Sequence, residues 1–206
     1  MRIGIIGSGM MGSTLGALWA ARGHDVIYSS RHPETLADVV AKTPRARAAT
    51  VEEAARDGDA VFLGVPYAAM PELAKTLAPL LAGKLVLDAG NIIPGRDGAL
   101  ADNVKASGKG SGGWTQSLLP GAKVVKAFNT VHFRNLANWD GPRIAVPLAG
   151  DDAGALAQAA ALVKDAGQEP VVLAGGMAAS ARIDFDSPVW NTNMAANALR
   201  KALGLG

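Results

Sequence analysis

The chain alternates short apolar runs with longer stretches in which apolar residues return every three or four positions. The runs Arg2–Ile6, Asp25–Ser29, Ala46–Ala49, 59–66, 84–88, 123–128, 143–148 and 170–173 have strand length, and several are apolar at consecutive positions. Unbroken apolar strands of this kind suit a parallel sheet buried on both faces. The intervening stretches predict helices. Met11, Leu15 and Leu18 recur at helical spacing with Gly12 and Gly16 one turn apart, and Gly23 is placed to end that helix. Further helices are expected over 34–41 behind Pro33, from a Thr50/Glu53 capping box, and over 71–81, 113–119, 152–166 and 188–203. Strand and helix in succession define an α/β class, a doubly wound parallel sheet whose ligands lie beyond the carboxyl ends of its strands. Residues 1–140 are expected to form the main domain, and 141–206 a small C-terminal α/β extension that completes the pocket.

The first strand runs directly into Gly7-Ser8-Gly9-Met10-Met11-Gly12, the G-x-G-x-x-G spacing of a Rossmann-like dinucleotide site. Gly7 permits the tight turn, Gly9 lets the backbone approach a pyrophosphate, and Gly12 allows close helix-to-sheet contact. The following helix then offers free N–H groups and a positive dipole end to the phosphates. The spacing alone is weak. Strand, turn, helix and strand in order supply the context it requires.

An NAD site usually ends its second strand with Asp or Glu, which accepts from the adenosine ribose 2′-OH. Here Asp25 lies at the wrong end of the strand, and the right end reads Ser29-Ser30-Arg31. A carboxylate would repel a 2′-phosphate, whereas Ser30 can donate to it, Arg31 can pair with it and His32 can add a donor. NADP(H) is therefore expected over NAD(H). The same residues also suit a helix start, with Pro33 at its first position and Glu34 in its first turn.

The other strand ends carry Val65-Pro66-Tyr67, Ala89-Gly90-Asn91 and Asn129-Thr130. Gly90 and Asn91 are expected on the cofactor side, and Asn129 and Thr130 on the substrate side, as donors that orient a carboxamide or a ring edge. Strand-end turns capped by asparagine are the plainer alternative for each. Residues 89–121 are long and glycine-rich, with one expected helix and a remainder that forms a lid, a pocket wall or a simple surface loop. His132 is the only histidine near the expected pocket mouth and is a candidate substrate contact and proton donor, against a purely structural role. Lys126 falls within an apolar strand, where an exposed strand end is the simplest reading. Trp114, Trp139 and Trp190 could stack on a planar ring, or pack in the core or against a second copy.

Composition narrows the classes. At 206 residues there is room for one nucleotide-binding domain and little more, so any substrate domain must be small. The 20 basic and 18 acidic residues are scattered, with no basic tract to mark a nucleic-acid partner. The absence of cysteine excludes disulfides, thiol catalysis and cysteine-ligated metals, and three histidines form no metal-ligand pattern. No apolar run approaches the roughly 20 residues of a membrane helix, and Met1 leads straight into the first strand. A soluble cytoplasmic protein without membrane partners is expected.

The segments GSGMMG, SSRHPE, VPYAAM, LLPGAKVVKAFNT and LAGDD, in this order and at this length, resemble the NADP oxidoreductases that depend on the deazaflavin coenzyme F420. The module also resembles the cytoplasmic reductase domain of the STEAP metalloreductases, in which NADPH reduces a flavin. The resemblance implies phosphate contacts from the Gly7 to Gly12 loop, 2′-phosphate contacts from Ser30 and Arg31, and nicotinamide-side contacts near Val65 and Pro66. It implies a homodimer as well, in keeping with an apolar C-terminal helix from Trp190 onward. Two positions depart from the family. Thr35 stands where a lysine is frequent, which lightens the phosphate clamp, and Val131-His132-Phe133-Arg134 replaces a small apolar run. Hydride transfer between stacked rings needs little acid–base chemistry, so an NADPH-dependent reductase of a deazaflavin or flavin leads. A reductase of a small carbonyl or imine using His132, and a non-catalytic NADP(H) redox sensor, are the alternatives.

Overall fold

The computed structural model describes residues 1–138 and 140–205, so Trp139 lies outside the described residues. β1 (Arg2–Ile6) sits inside the sheet with Ile3, Ile5 and Ile6 out of solvent, as a strand covered on both faces requires. β2 (Asp25–Ser29) and β3 (Ala46–Ala49) follow on one side of it, and β4 (Ala60–Leu63), β5 (Leu85–Asp88) and β6 (Lys123–Lys126) on the other. β7 (Ala145–Gly150) and β8 (Glu169–Val172) extend the sheet, giving the order β3-β2-β1-β4-β5-β6-β7-β8. The order reverses at β1, and ligands on such sheets bind at that switch point. The expected doubly wound α/β sheet is present with one antiparallel join, where β7 pairs with β6 through Val125↔Gly150 and Lys126↔Ala149. The sheet thus runs continuously across the boundary expected at residue 140.

Helices cover both faces. α1 (Met10–Ala21) and α9 (Ala153–Asp165) pack on the face carrying Ile3, Phe62, Leu87 and Val125, with Trp19 edge-on to Phe62 and Phe128. α3 (Val51–Asp57) and α4 (Met70–Leu81) pack on the opposite face against Ile6, Val61, Leu63 and Val86. Met70, Ala74, Leu77 and Leu81 form the buried stripe of α4. The capping box that opens α3 is complete: Glu53 N donates to Thr50 Oγ1 at 3.2 Å, and Thr50 N donates to Glu53 Oε2 at 2.8 Å.

Several boundaries move for local reasons. The stretch 34–41 divides into a 3-10 turn, Pro33–Leu36, and α2 (Ala37–Ala41). The strand expected over 59–66 is confined to β4. That expected over 123–128 stops at Lys126, because Phe128 adopts a left-handed φ of 64° and turns the chain. Residues 89–121 hold three helices instead of one: α5 (Pro94–Asp97), α6 (Ala99–Ser107) and α7 (Gly110–Leu118). Ala101, Val104, Ser111 and Thr115 are buried among them, so the stretch is a packed wall, not a loose loop. α8 (Phe133–Asn138) follows the turn after β6. The C-terminal helix shrinks from 188–203 to α10 (Ala196–Ala202). Before it, Asn191 is left-handed and the Met194 carbonyl accepts from Ala145 N, which takes that backbone away from helix formation. Leu199 and Leu203 pack with Ala145, Val171 and Ile183, so the chain itself covers them. No helix among the described residues is long and apolar enough to cross a membrane.

Candidate functional site

The glycine turn after β1 separates three physical roles. Gly7 has φ 99°, and a Cβ there would lie 2.5 Å from the Gly64 carbonyl oxygen. A Cβ at Gly12 would overlap the Gly7 carbonyl oxygen and come within 2.8 Å of Ile5 Cγ2, so only glycine lets α1 approach the sheet. At Gly9 a Cβ would meet nothing within 4 Å, which leaves open space where a pyrophosphate would sit against the start of α1. Met10 is exposed beside it. Ser8 clasps the turn to β2: Ser29 N donates to Ser8 Oγ, and Ser8 Oγ donates to Ser29 O, each at 3.0 Å.

Beyond Ser29, local bonds shape the next turn. His32 N donates to Ser30 Oγ at 3.0 Å, Thr35 Oγ1 donates to His32 O at 2.6 Å, and the exposed His32 ring lies 3.3 Å from Glu34. Arg31 is exposed and has no partner among the described residues. Its guanidinium is available to an anion at the ribose end of the site.

At the switch point a cavity of about 270 Å³ opens between the ends of β1, β4, β5 and β6. Met11 and Gly64-Val65-Pro66 form one side, Ala89, Gly90, Asn91, Ile93 and Arg96 another, and Phe128, Asn129 and Val131 the third. Asn91 Nδ2 donates to Asn129 O at 2.8 Å, and Asn129 Nδ2 donates to Asn91 Oδ1 at 3.3 Å and to Ile183 O at 2.6 Å. The paired asparagines hold two strand ends in register around the cleft. Arg96 is spoken for: its guanidinium bonds the Asp97 carboxylate and the Asn91 carbonyl, and it holds the Asp97 carboxyl below the usual carboxylate range. Thr130 is buried beside the cleft without lining it, and its hydroxyl has no partner among the described residues. His132 also stays outside the lining. It is exposed, with its ring 4.4 Å from that of Phe133 and its Nδ1 accepting from Arg134 N.

Behind the cleft lies a buried polar cluster that sequence reasoning missed. Lys126, expected at an exposed strand end, is wholly buried, and its ammonium donates to Asp88 Oδ2 at 3.1 Å, Tyr67 Oη at 2.9 Å and the Gly90 carbonyl at 2.5 Å. Tyr67 Oη and Thr115 Oγ1 each donate to Asp88 Oδ2 at 2.8 Å, and Gly90 N donates to Asp88 Oδ1 at 2.9 Å. Burial, and then the Asp88 charge, push the Tyr67 phenol well above its ordinary value. A buried lysine is tolerated here because carboxylate, phenol and carbonyl surround it. The only signal in the sequence was an Asp ending one apolar strand and a Lys ending the next. Asp88 and Lys126 are register partners in β5 and β6.

Trp114 stacks on Tyr67 at 5.3 Å, and Trp190 meets Phe185 edge-on at 4.7 Å, so both are part of the packing around the site. Among the described residues no group of three His, Asp or Glu side chains is placed to hold a metal ion.

Residues 2–92 match the family model described as NADP oxidoreductase, coenzyme F420-dependent. A hypothetical protein from Sinorhizobium meliloti is 32% identical with a TM-score of 0.80, the alignment covering 94% of both chains. A candidate F420-dependent NADP reductase from Arthrobacter sp. FB24 is 24% identical with a TM-score of 0.78, over 95% of this chain and 99% of that one. The 3-hydroxyisobutyrate dehydrogenase of Mycobacterium tuberculosis shares the fold at 17% identity and a TM-score of 0.63, over 87% of this chain but only 56% of its own. Among curated proteins none matches the chain.

Proposed function

Because this chain, an NADP-dependent oxidoreductase, belongs to the family of coenzyme F420-dependent NADP oxidoreductases, we propose that it passes hydride between NADP(H) and a planar flavin or deazaflavin coenzyme. The Gly7 to Gly12 turn would hold the pyrophosphate, with the open space at Gly9 as the point of closest approach. Ser30, Arg31 and His32 would hold the 2′-phosphate. Val65, Pro66, Gly90 and Asn91 would bracket the nicotinamide, and Asn129 would orient the ring edge beside it. When bound, NADPH supplies the hydride.

One observation carries the choice of a ring acceptor. Among the described residues the cleft lining contains a single ionisable side chain, Arg96, and it is already tied to Asp97 and Asn91. A guanidinium stays protonated throughout the working pH range and cannot cycle a proton. Reduction of a carbonyl or imine calls for such a donor at the reacting atom, whereas a flavin-type ring accepts hydride at carbon or nitrogen and takes its proton from solvent. Stopped-flow mixing with NADPH and riboflavin, flavin mononucleotide or coenzyme F420 should show coupled loss of NADPH absorbance and acceptor bleaching. No transfer to any of them would overturn the reading. In the same assay His132→Ala should keep its rate within about twofold, as an exposed side chain outside the cleft would.

The homodimer is proposed on the resemblance alone. Sedimentation at micromolar concentration tests it, and a monomer mass would reject it.

A further inference from the structure

The two segments that would bracket the nicotinamide both run off members of the buried polar cluster. Val65 and Pro66 lead into Tyr67, which opens the 3-10 turn Tyr67–Ala69, and Asp88 leads through Ala89 to Gly90 and Asn91. Gly90 lines the cleft, yet both hydrogen-bonding groups of its main chain are taken up behind it: its N–H donates to Asp88 Oδ1 at 2.9 Å, and its carbonyl accepts from Lys126 Nζ at 2.5 Å. The Tyr67 ring packs against the same residue, so closely that a Cβ on Gly90 would lie 2.2 Å from Tyr67 Cε2. Tyr67 Oη in turn donates to Asp88 Oδ2 at 2.8 Å and accepts from Lys126 Nζ at 2.9 Å. Apolar side chains of similar volume would fill this space without the desolvation cost of two charges. What they would lack is directed bonds to the Gly90 peptide groups.

We propose that Lys126 and Asp88 are positioning residues for the nicotinamide: they grip Gly90 by both its N–H and its carbonyl, and Tyr67 ties that grip to Val65 and Pro66, so the two brackets keep a fixed separation. The inference rests on the proposed hydride transfer from NADPH. Lys126, Asp88 and Tyr67 lie behind the cleft lining, so they act through main chain and not by contact with the ring. Hydride transfer is steep in distance, and misplacing the ring by about 1 Å can cost on the order of a hundredfold in rate. Tyr67, Thr115 and Lys126 all bond Asp88 Oδ2, and a buried network satisfied in this way is rigid. The adenosine end of the dinucleotide is served by β1, the glycine turn and β2, which lie across β4 from β5 and β6. A defect in the cluster is therefore felt at one end of the dinucleotide only.

Adenosine 2′,5′-bisphosphate carries the adenosine and 2′-phosphate without a nicotinamide, so it separates the two ends. The double variant Asp88→Asn with Lys126→Met removes both charges together. It should bind adenosine 2′,5′-bisphosphate within about twofold of the parent in calorimetric titration, and NADPH about tenfold more weakly. The emission of bound NADPH reports on the reduced ring itself and should move toward that of free NADPH, a readout that needs no acceptor. With flavin mononucleotide or coenzyme F420 as acceptor, kcat at saturating NADPH should fall by about tenfold or more. A fold that is merely weakened would lose both ligands in proportion and leave the emission of bound NADPH as it is. Proportional losses, unchanged emission or unchanged kcat in the folded double variant would each overturn the proposal, as would parent-bound NADPH that emits like free NADPH. Should the double variant fail to fold, Tyr67→Phe decides. It keeps both charges and removes the phenol bonds to Asp88 and Lys126, so the emission should move the same way with adenosine 2′,5′-bisphosphate binding held, and no movement rejects the proposal. If the parent reduces no acceptor, the hydride reading fails by itself, and the two binding titrations with the emission still decide the positioning.

Discussion

Asp88 and Lys126 stand opposite each other at the ends of neighbouring strands, 3.1 Å apart from carboxylate to ammonium, with both side chains almost wholly out of solvent. The pair also fixes the loop that borders the cleft, because Gly90 donates its N–H to Asp88 and offers its carbonyl to Lys126. Removing one partner strands the other charge in the interior. Lys126→Met is expected to lower unfolding free energy by about 3 kcal/mol in urea titration, and adding Asp88→Asn to recover part of that loss. A single variant as stable as the parent would contradict the pairing.

Alkaline pH should weaken the fold through its tyrosines. Burial raises the phenols of both Tyr28 and Tyr67, the latter further through Asp88. Each keeps its proton in the folded chain where the unfolded chain loses it. The stabilisation is therefore full below about pH 10 and is lost as pH rises beyond it. Tyr67→Phe removes one of those protons. Its stability should decline less steeply between pH 10 and 11, by up to about 1.4 kcal/mol per pH unit, in urea titrations at each pH. Identical slopes would contradict the burial of this hydroxyl.

Two glycines of the same turn should fail differently. Gly12→Ala forces a methyl group onto the Gly7 carbonyl and the Ile5 side chain, and is expected to cost about 2 kcal/mol or more of stability. Gly9→Ala meets no protein atom within 4 Å and should melt like the parent while losing NADPH affinity. Thermal melts paired with calorimetric titration separate the two, and a Gly9→Ala protein that binds NADPH normally would move the pyrophosphate elsewhere.

Arg31 has no partner among the described residues, so its removal should cost the fold little. Arg31→Ala is expected to weaken NADPH binding by roughly tenfold or more through loss of charge-assisted hydrogen bonds to the 2′-phosphate, and to leave NADH binding nearly unchanged. Equal losses for both nucleotides would remove Arg31 from the phosphate site.

Much of the nucleotide-binding half was legible from local pattern. β1, β2 and β3 begin and end where their apolar runs do, and the capping box at Thr50 and Glu53 forms as its spacing implies. Local rules sufficed because each of these features is settled within a few residues of chain. They faltered where backbone groups found distant partners. Met194 gives its carbonyl to Ala145 and shortens the last helix, while Phe128 turns left-handed and ends β6 early.

The cleft itself divides along the same line. The order strand, glycine turn, helix, strand, with Ser30 and Arg31 in place of a carboxylate, was determined by the sequence alone, since bond geometry and charge at adjacent positions decide it. Lys126 could not be read that way. Its partners Tyr67, Asp88 and Gly90 lie 36 to 59 residues away and reach it only because β4, β5 and β6 end side by side. Tertiary structure alone also decided that His132 stays outside the cleft and that the Tyr67 ring packs against Gly90. Both depend on how backbone turns and strand neighbours aim side chains, and no spacing along the chain records that.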